Sequence, residues 1–298
     1  MKFTAIIDLI ETIRHLSQAQ TIFCDGTFDM CPQLFSQIYT IHAFVEDKMF
    51  PLVYALLPDK KQQTNTSFFT VLGEKTTEMT VLLLMPETIF TDFESSTQNA
   101  LRTVFPTSEL KGCYFLFGQC IWRNVQKLGL QTTYSRDRNV YRFVRRAVSL
   151  PLVPVQHIED VCLSALEDAP LEDDRVLKFA DYVTDYWVEG NQGRHMWNHH
   201  NTVGPGTTNH VEGWHSKIAK VLGAPHPNIF KILSFFKAEQ AYSESTIHQL
   251  ESGWKIRPRK RKYRQLDDRL RIEKHDLQNG TKTIQQFADS VHIMKLRK

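Results

Sequence analysis

The chain has no apolar run long enough to cross a bilayer. Val81-Leu82-Leu83-Leu84-Met85 is stopped by Pro86, far short of the roughly 20 residues that a spanning helix needs, so no membrane span is expected. A secretory signal is also missing. The segment Met1 to Glu11 carries Asp8 and Glu11 and continues at helical spacing through Ile6, Ile10 and Ile13, which implies an N-terminal helix over 1–19 and an intracellular protein. Cysteine is scarce: Cys24, Cys31, Cys113, Cys120 and Cys162 form no C-x-x-C pair. That excludes a zinc ribbon or dithiol motif and leaves reduced packing thiols. Nor is there an excess of charge of one sign. With 36 basic and 33 acidic residues the net charge is +3, and any affinity for nucleic acid has to come from a local patch.

What is present suits one large globular domain with an inserted subdomain: 298 residues, 42% hydrophobic, 11% aromatic and 23% charged. Short β-rich runs cover Thr21–Asp25, Phe35–Val45 and Met49–Leu57, with Glu46-Asp47-Lys48 between the last two. Pro58-Asp59 breaks the meander, and Phe68, Phe69 and Leu72 then fall at helical offsets. A further strand is expected at Thr88–Asp92, followed by a helix through Ala100, Leu101 and Val104 that Pro106 ends. Gly112–Phe117 is another apolar run of strand length, and beyond Gln119 the pattern stays helical to about Trp197. After the loop signal Gly204-Pro205-Gly206, a helix is expected over about 210–222, with Thr207-Thr208-Asn209 and Glu212 in the form of a capping box.

Three acids stand out. Asp25 ends the apolar run Ile22-Phe23-Cys24, and Asp92 follows Thr88-Ile89-Phe90; a charged group there is costly to bury unless it binds a ligand or reaches solvent at a strand end. Gly26 beside Asp25 leaves room for close approach of a ligand or of backbone. The alternatives are a D-G hairpin turn at Asp25, a helix N-cap at Asp92 and a capping-box glutamate at Glu212. Glu94 is the lesser ligand candidate. Phosphodiester chemistry with two divalent ions roughly 3.5–4 Å apart needs several hard-oxygen ligands brought together. Two aspartates on neighbouring strands, and a third acid from a helix beside the sheet, meet that need.

The run Thr21-Ile22-Phe23-Cys24-Asp25-Gly26-Thr27-Phe28 and the later Phe50-Pro51-Leu52-Val53-Tyr54-Ala55-Leu56-Leu57-Pro58 resemble the opening of Mutator-like (MULE) transposase domains. Three further blocks resemble the family in order: Thr88–Glu94, Gly112–Phe115 continuing into Cys120–Arg123, and Thr208–His215. The resemblance spans about residues 20 to 240. It implies an α/β (α+β) fold of the ribonuclease H-like kind, a mixed β-sheet flanked by helices with an all-helical insertion between the second and third acids. The implied parts are a first portion of the core over 20–122, the insertion over 123–203, a core helix over 204–240 and a basic helical tail over 241–298. It further implies a DDE-type DNA transposase in which Asp25, Asp92 and Glu212 bind two Mg2+ or Mn2+ ions and cleave and join transposon ends, with DNA and a second copy of the chain as partners. Leu116 stands where the family commonly has the histidine of a C-x-x-H pair beginning at Cys113. An inactive or host-retained DNA- or protein-binding module, and a nuclease without strand transfer, are the competing readings.

His195, His199, His200, His210 and His215 crowd the region around the Gly-Pro-Gly loop, but adjacent histidines face apart and no cysteine is near, so structural zinc is not expected. His215 lies three residues after Glu212 on the same helix face, placed either to orient the scissile phosphate or to pack. Trp197, Trp214 and Tyr186 either stack on an unpaired base or pack in the interior. Arg257, Arg259, Lys260, Arg261 and Lys262 form a basic run suited to phosphate contacts and to nuclear import, which makes the nucleus the expected location.

Overall fold

In the computed structural model, residues 4–7, 10–190, 193–202, 209–255 and 261–291 are described. The chain opens with a short strand β1 (Thr4–Ile7), helix α1 (Ile10–Gln18), and then the three strands of the meander, β2 (Thr21–Thr27), β3 (Gln37–Val45) and β4 (Lys48–Leu57). Helix α2 (Gln62–Thr80), strand β5 (Thr88–Thr91), helix α3 (Ser95–Val104) and strand β6 (Glu109–Gly112) follow. Helices α4 (Tyr114–Lys127), α5 (Gln131–Arg136), α6 (Arg138–Ser149), α7 (Ile158–Glu167), α8 (Asp174–Asp181) and α9 (Arg194–Trp197) come next, with a π-helical turn at Tyr182–Val188. The last four helices are α10 (Asn209–Leu222), α11 (Ile229–Glu251), α12 (Arg261–Gln278) and α13 (Ile284–Ser290). The fold class is therefore mixed α/β, and among the described residues no helix is long and apolar enough to cross a membrane.

The chain divides into two units, Met1–Lys111 with Thr208–Arg257, and Gly112–Thr207 with Pro258–Lys298. The first unit holds a six-stranded sheet in the order β1-β4-β3-β2-β5-β6. Strands β1, β4, β3 and β2 pair antiparallel in succession, while β2 and β5 run parallel. Strands β3 and β4 are buried along nearly their whole length because helices cover both faces of the sheet. Pro51 is tolerated inside β4 because the β3–β4 register slips between Ile41 and His42, and a bulge is one of the few places where a missing N–H costs no ladder bond. One face of the sheet (Ile22, Cys24, Tyr39, Ile41, Val53, Ile89) packs on Ile13 and Leu16 of α1, Phe68, Phe69 and Leu72 of α2, and Leu101 of α3. The other face (Ile38, Tyr54, Leu56) packs on Trp214 and Ile218 of α10 and on Ile232, Phe235 and Phe236 of α11.

The second unit is helical. Phe117 of α4 lies 4.4 Å from Trp187 and 5.4 Å from Trp197, ring centre to ring centre. Buried Arg146 of α6 donates two hydrogen bonds to Asp289 of α13 at 2.8 and 3.1 Å, and a third to the Ser164 carbonyl at 3.0 Å.

Three expectations are corrected. The N-terminal segment is not one helix: Thr4–Ile7 pairs with β4 as a strand before α1 begins. The strand expected at Gly112–Phe117 lies earlier, at Glu109–Gly112, and Tyr114–Phe117 instead opens α4. Tyr114, Phe117, Ile121 and Val125 are all buried along α4, a helical spacing that a short apolar run does not distinguish from a strand. The boundaries expected at 122 and 240 fall inside α4 and α11, and the tail is divided at Arg257–Pro258.

Candidate active site

Asp25 sits inside β2, paired across to Thr40, and the strand continues through Gly26 and Thr27. The hairpin-turn reading of Asp25-Gly26 is thereby excluded. Gly26 leaves room for two side chains of β3: a Cβ there would meet Gln37 Oε1 at 2.9 Å and the Tyr39 ring at 3.5 Å. The Asp25 carboxylate is nearly buried, at 7% side-chain exposure, and its Oδ1 accepts the Gly26 N–H at 2.9 Å.

The parallel register of β2 and β5 pairs Phe23 with Phe90, and their rings stack 4.8 Å apart at 10°. Carried two residues on, the same register sets Asp25 level with Asp92, and because side chains repeat every second residue Asp25 shares the face of Phe23. Both carboxyls act on the same two buried groups, the Cys24 thiol and the Tyr39 phenol, whose burial is the main cause of their raised pKa. Asp92 is not the N-cap of α3. That position belongs to Glu94, and Asp92 Oδ1 accepts the Glu94 N–H at 3.1 Å from two residues upstream. Lost hydration raises the Asp92 carboxyl to about 6; the Glu94 charge adds to the rise, while the Glu94 amide and the Lys60 charge oppose it.

Helix α10 covers this face. Val211 packs with Phe23 and Phe90, and His215 Nδ1 lies 3.6 Å from Asp25 Oδ2, too long for a hydrogen bond. Burial lowers the His215 pKa to about 4, so the imidazole is neutral at pH 7. Glu212 precedes His215 by three residues in α10; its side chain lies outside the described residues, as do Thr207 and Thr208 of the expected cap. Among the described residues no three His, Cys, Asp or Glu side chains form a group that could hold a metal ion.

The other expected site residues divide clearly. Trp214 is buried, and its indole N–H donates to Glu239 Oε2 at 3.1 Å, so it packs between sheet and helices instead of offering a face to DNA. Trp197 is fully buried in the second unit. Tyr186 is exposed and stacks on Tyr182 at 5.8 Å. His199 Nε2 and His200 Nδ1 bond different backbone carbonyls, those of Gly112 and Leu152. His195 lies in α9, while His210 opens α10 with its side chain outside the described residues. Cys113 is buried at the N-cap of α4 and Leu116 lies in its first turn. Arg261 is exposed at the start of α12; Arg257, Arg259, Lys260 and the Lys262 side chain lie outside the described residues.

Sequence reasoning missed Lys60, whose charge reaches Asp92, and the buried Thr40–His42 pair (3.0 Å) on the strand beside Asp25. Only the alternation of β3 hinted that Thr40 and His42 share Asp25's face.

Comparison with known proteins adds one match. Residues 21–119 fit the family model of the MULE transposase domain, and no curated protein matches the chain. The match runs from the first residue of β2 into α4 and contains Asp25 and Asp92, while Glu212 lies beyond it. Four of the five resembling blocks fall wholly or largely within it. Over residues 21–119, about a third of the chain, the sequence is therefore similar to the MULE transposase domain.

Proposed function

We propose that this chain is the catalytic core of a DDE-type DNA transposase built on a ribonuclease H-like sheet, with Asp25, Asp92 and Glu212 as its acids. The observation that supports the reading most is the parallel β2–β5 register through Phe23 and Phe90, which continued two residues brings Asp25 of β2 level with Asp92 just past β5, on the sheet face that α10 covers. Three antiparallel strands joined through the first of them to a parallel crossover strand, in the order β4-β3-β2-β5-β6, support the ribonuclease H-like assignment, and the helices within 123–203 are read as its insertion.

The donor set fits a divalent cation such as Mg2+ or Mn2+. Its oxygens are hard ligands, and an Asp92 carboxyl raised to about 6 by lost hydration gains from a nearby positive charge. Bound there, two such ions would activate the attacking oxygen and neutralise charge on the leaving oxygen. In the hydrolytic step a water oxygen bonds to phosphorus as the P–O3′ bond breaks, freeing a 3′-hydroxyl. In the joining step that hydroxyl attacks a target phosphodiester and a target 3′-oxygen leaves. The chain's residues align these atoms: β2 and β5 fix the two aspartates, Val211 seats α10 on Phe23 and Phe90, and neutral His215 packs against Asp25 without competing for its charge. The basic run Arg257–Lys262 supplies phosphate contacts and a nuclear import signal, and the joining of two ends calls for an oligomer.

Calorimetry with Mn2+ tests the reading, together with cleavage of labelled DNA by the unmodified chain and by Asp25→Asn, Asp92→Asn and Glu212→Gln. Loss of metal affinity and cleavage in each variant supports one shared site. A folded chain that binds no metal with DNA present sinks the enzyme reading and leaves a binding module, the alternative that Leu116 favours. Cleavage without joining to a supplied target duplex identifies a nuclease instead.

A further inference from the structure

Two loops at the acid-bearing end of the sheet bring an exposed ring and a cation together. Phe28 follows the end of β2 three residues after Asp25 and is 37% exposed. Lys60, on the turn between β4 and α2, holds its ammonium 3.2 Å from the centre of the Phe28 ring. Among the described residues Lys60 forms no ion pair, and its charge acts on Asp92.

Neither loop is loosely held. The Phe28 carbonyl accepts the Cys31 N–H at 3.0 Å. His226 pins the next residues, its N–H on the Asp29 carbonyl at 2.9 Å and its Nδ1 on the Cys31 carbonyl at 2.9 Å. On the other loop, Asp59 Oδ1 accepts the Lys61 N–H at 3.0 Å and the Thr64 hydroxyl at 2.6 Å, while Ser36 Oγ donates to the Pro58 carbonyl at 2.8 Å. An aromatic ring and an ammonium are thus held together at the end of the sheet where Asp25 and Asp92 lie, with the ammonium charge reaching Asp92.

We propose that Phe28 and Lys60 form the seat for the nucleotide next to the scissile phosphate, the ring taking an unpaired base and the ammonium its phosphate. The inference rests on the transposase reading above and adds a substrate contact to it. In the free protein the ammonium covers the ring. A nucleotide exchanges that contact for base–ring stacking and an ammonium–phosphate pair, both of which suit the two groups better than an exposed cation–π contact. Duplex DNA offers no free base face, so the seat selects an unpaired flank.

The test uses the full chain with Ca2+ present and two short duplexes, one blunt and one with an unpaired flank carrying 2-aminopurine. Binding is read by anisotropy and stacking by quenching of the 2-aminopurine. The unmodified chain quenches the probe. Phe28→Ala abolishes the quench and weakens binding of the unpaired flank roughly 5- to 150-fold, the range that base–aromatic stacking spans, while blunt DNA binding is unchanged; Phe28→Trp keeps the quench. Lys60→Ala lowers the slope of log affinity against log salt by about 0.7. Both side chains are exposed, so the fold is kept. If Phe28→Ala binds and quenches as the unmodified chain does, the seat is refuted while the transposase reading stands. If the unmodified chain binds neither DNA, the transposase reading itself fails.

Discussion

Replacing Asp92 by Asn removes a charge that the metal-free fold holds at a cost. The carboxyl is raised from 3.8 to about 6, chiefly by lost hydration. At 1.36 kcal/mol per pH unit this is at most about 3 kcal/mol between the folded and unfolded states; because the side chain is only partly buried, about half of it, ~1.5 kcal/mol, is the working figure. The sign follows from the direction. A folded-state pKa above the unfolded value means that proton binding stabilises the fold fully below about pH 4, and that this contribution is lost as pH rises through about 6. In EDTA at pH 8, Asp92→Asn therefore raises Tm by roughly 3–6 °C for a unit of this size. At pH 4, where the native carboxyl is also neutral, the gain vanishes. Adding Mn2+ at pH 8 reverses the ranking, stabilising the native chain through its ligands and the variant far less. Scanning calorimetry over pH 4–8, with and without Mn2+, reads all of these. An unchanged Tm at pH 8 in EDTA, or equal stabilisation of both proteins by Mn2+, refutes the argument that Asp92 is a strained carboxyl awaiting a cation.

Two further outcomes concern the frame that holds the site. Phe236 of α11 is fully buried and stacks on Tyr54 of β4 at 4.7 Å and 24°, so Phe236→Ala costs about 3–5 kcal/mol, seen as a lower urea midpoint with an unchanged slope. Arg146→Ala strips Asp289 of its bidentate partner and leaves the Ser164 carbonyl without that donor. With Arg146 only 6% exposed, this costs about 3 kcal/mol; hydrogen exchange should rise first in α13, and an α13 as protected as in the native chain counts against that pair as its anchor.

The sequence alone determined the elements whose signals are local. The meander strands, α2, β5, α3 and α10 were legible because β-rich runs end at turn residues and helices repeat their apolar positions, and Asp25 and Asp92 stood out as lone acids closing apolar runs. Other features rest on interactions that no local window contains. Thr4–Ile7 is a strand only because β4 offers it an edge, and Tyr114–Phe117 is helical because that turn buries Tyr114 and Phe117 in line with Ile121 and Val125. Trp214, for which the sequence offered packing and, as the lesser reading, stacking on a base, is committed to the interior by Glu239 of another helix. The sequence left a turn and a cap open as readings of Asp25 and Asp92; the parallel pairing of β2 with β5 directs both toward the same end of the sheet. Lys60 reaches Phe28 by the same cause, since sheet pairing sets which loops emerge at the same end, and that pairing is a property of the whole fold.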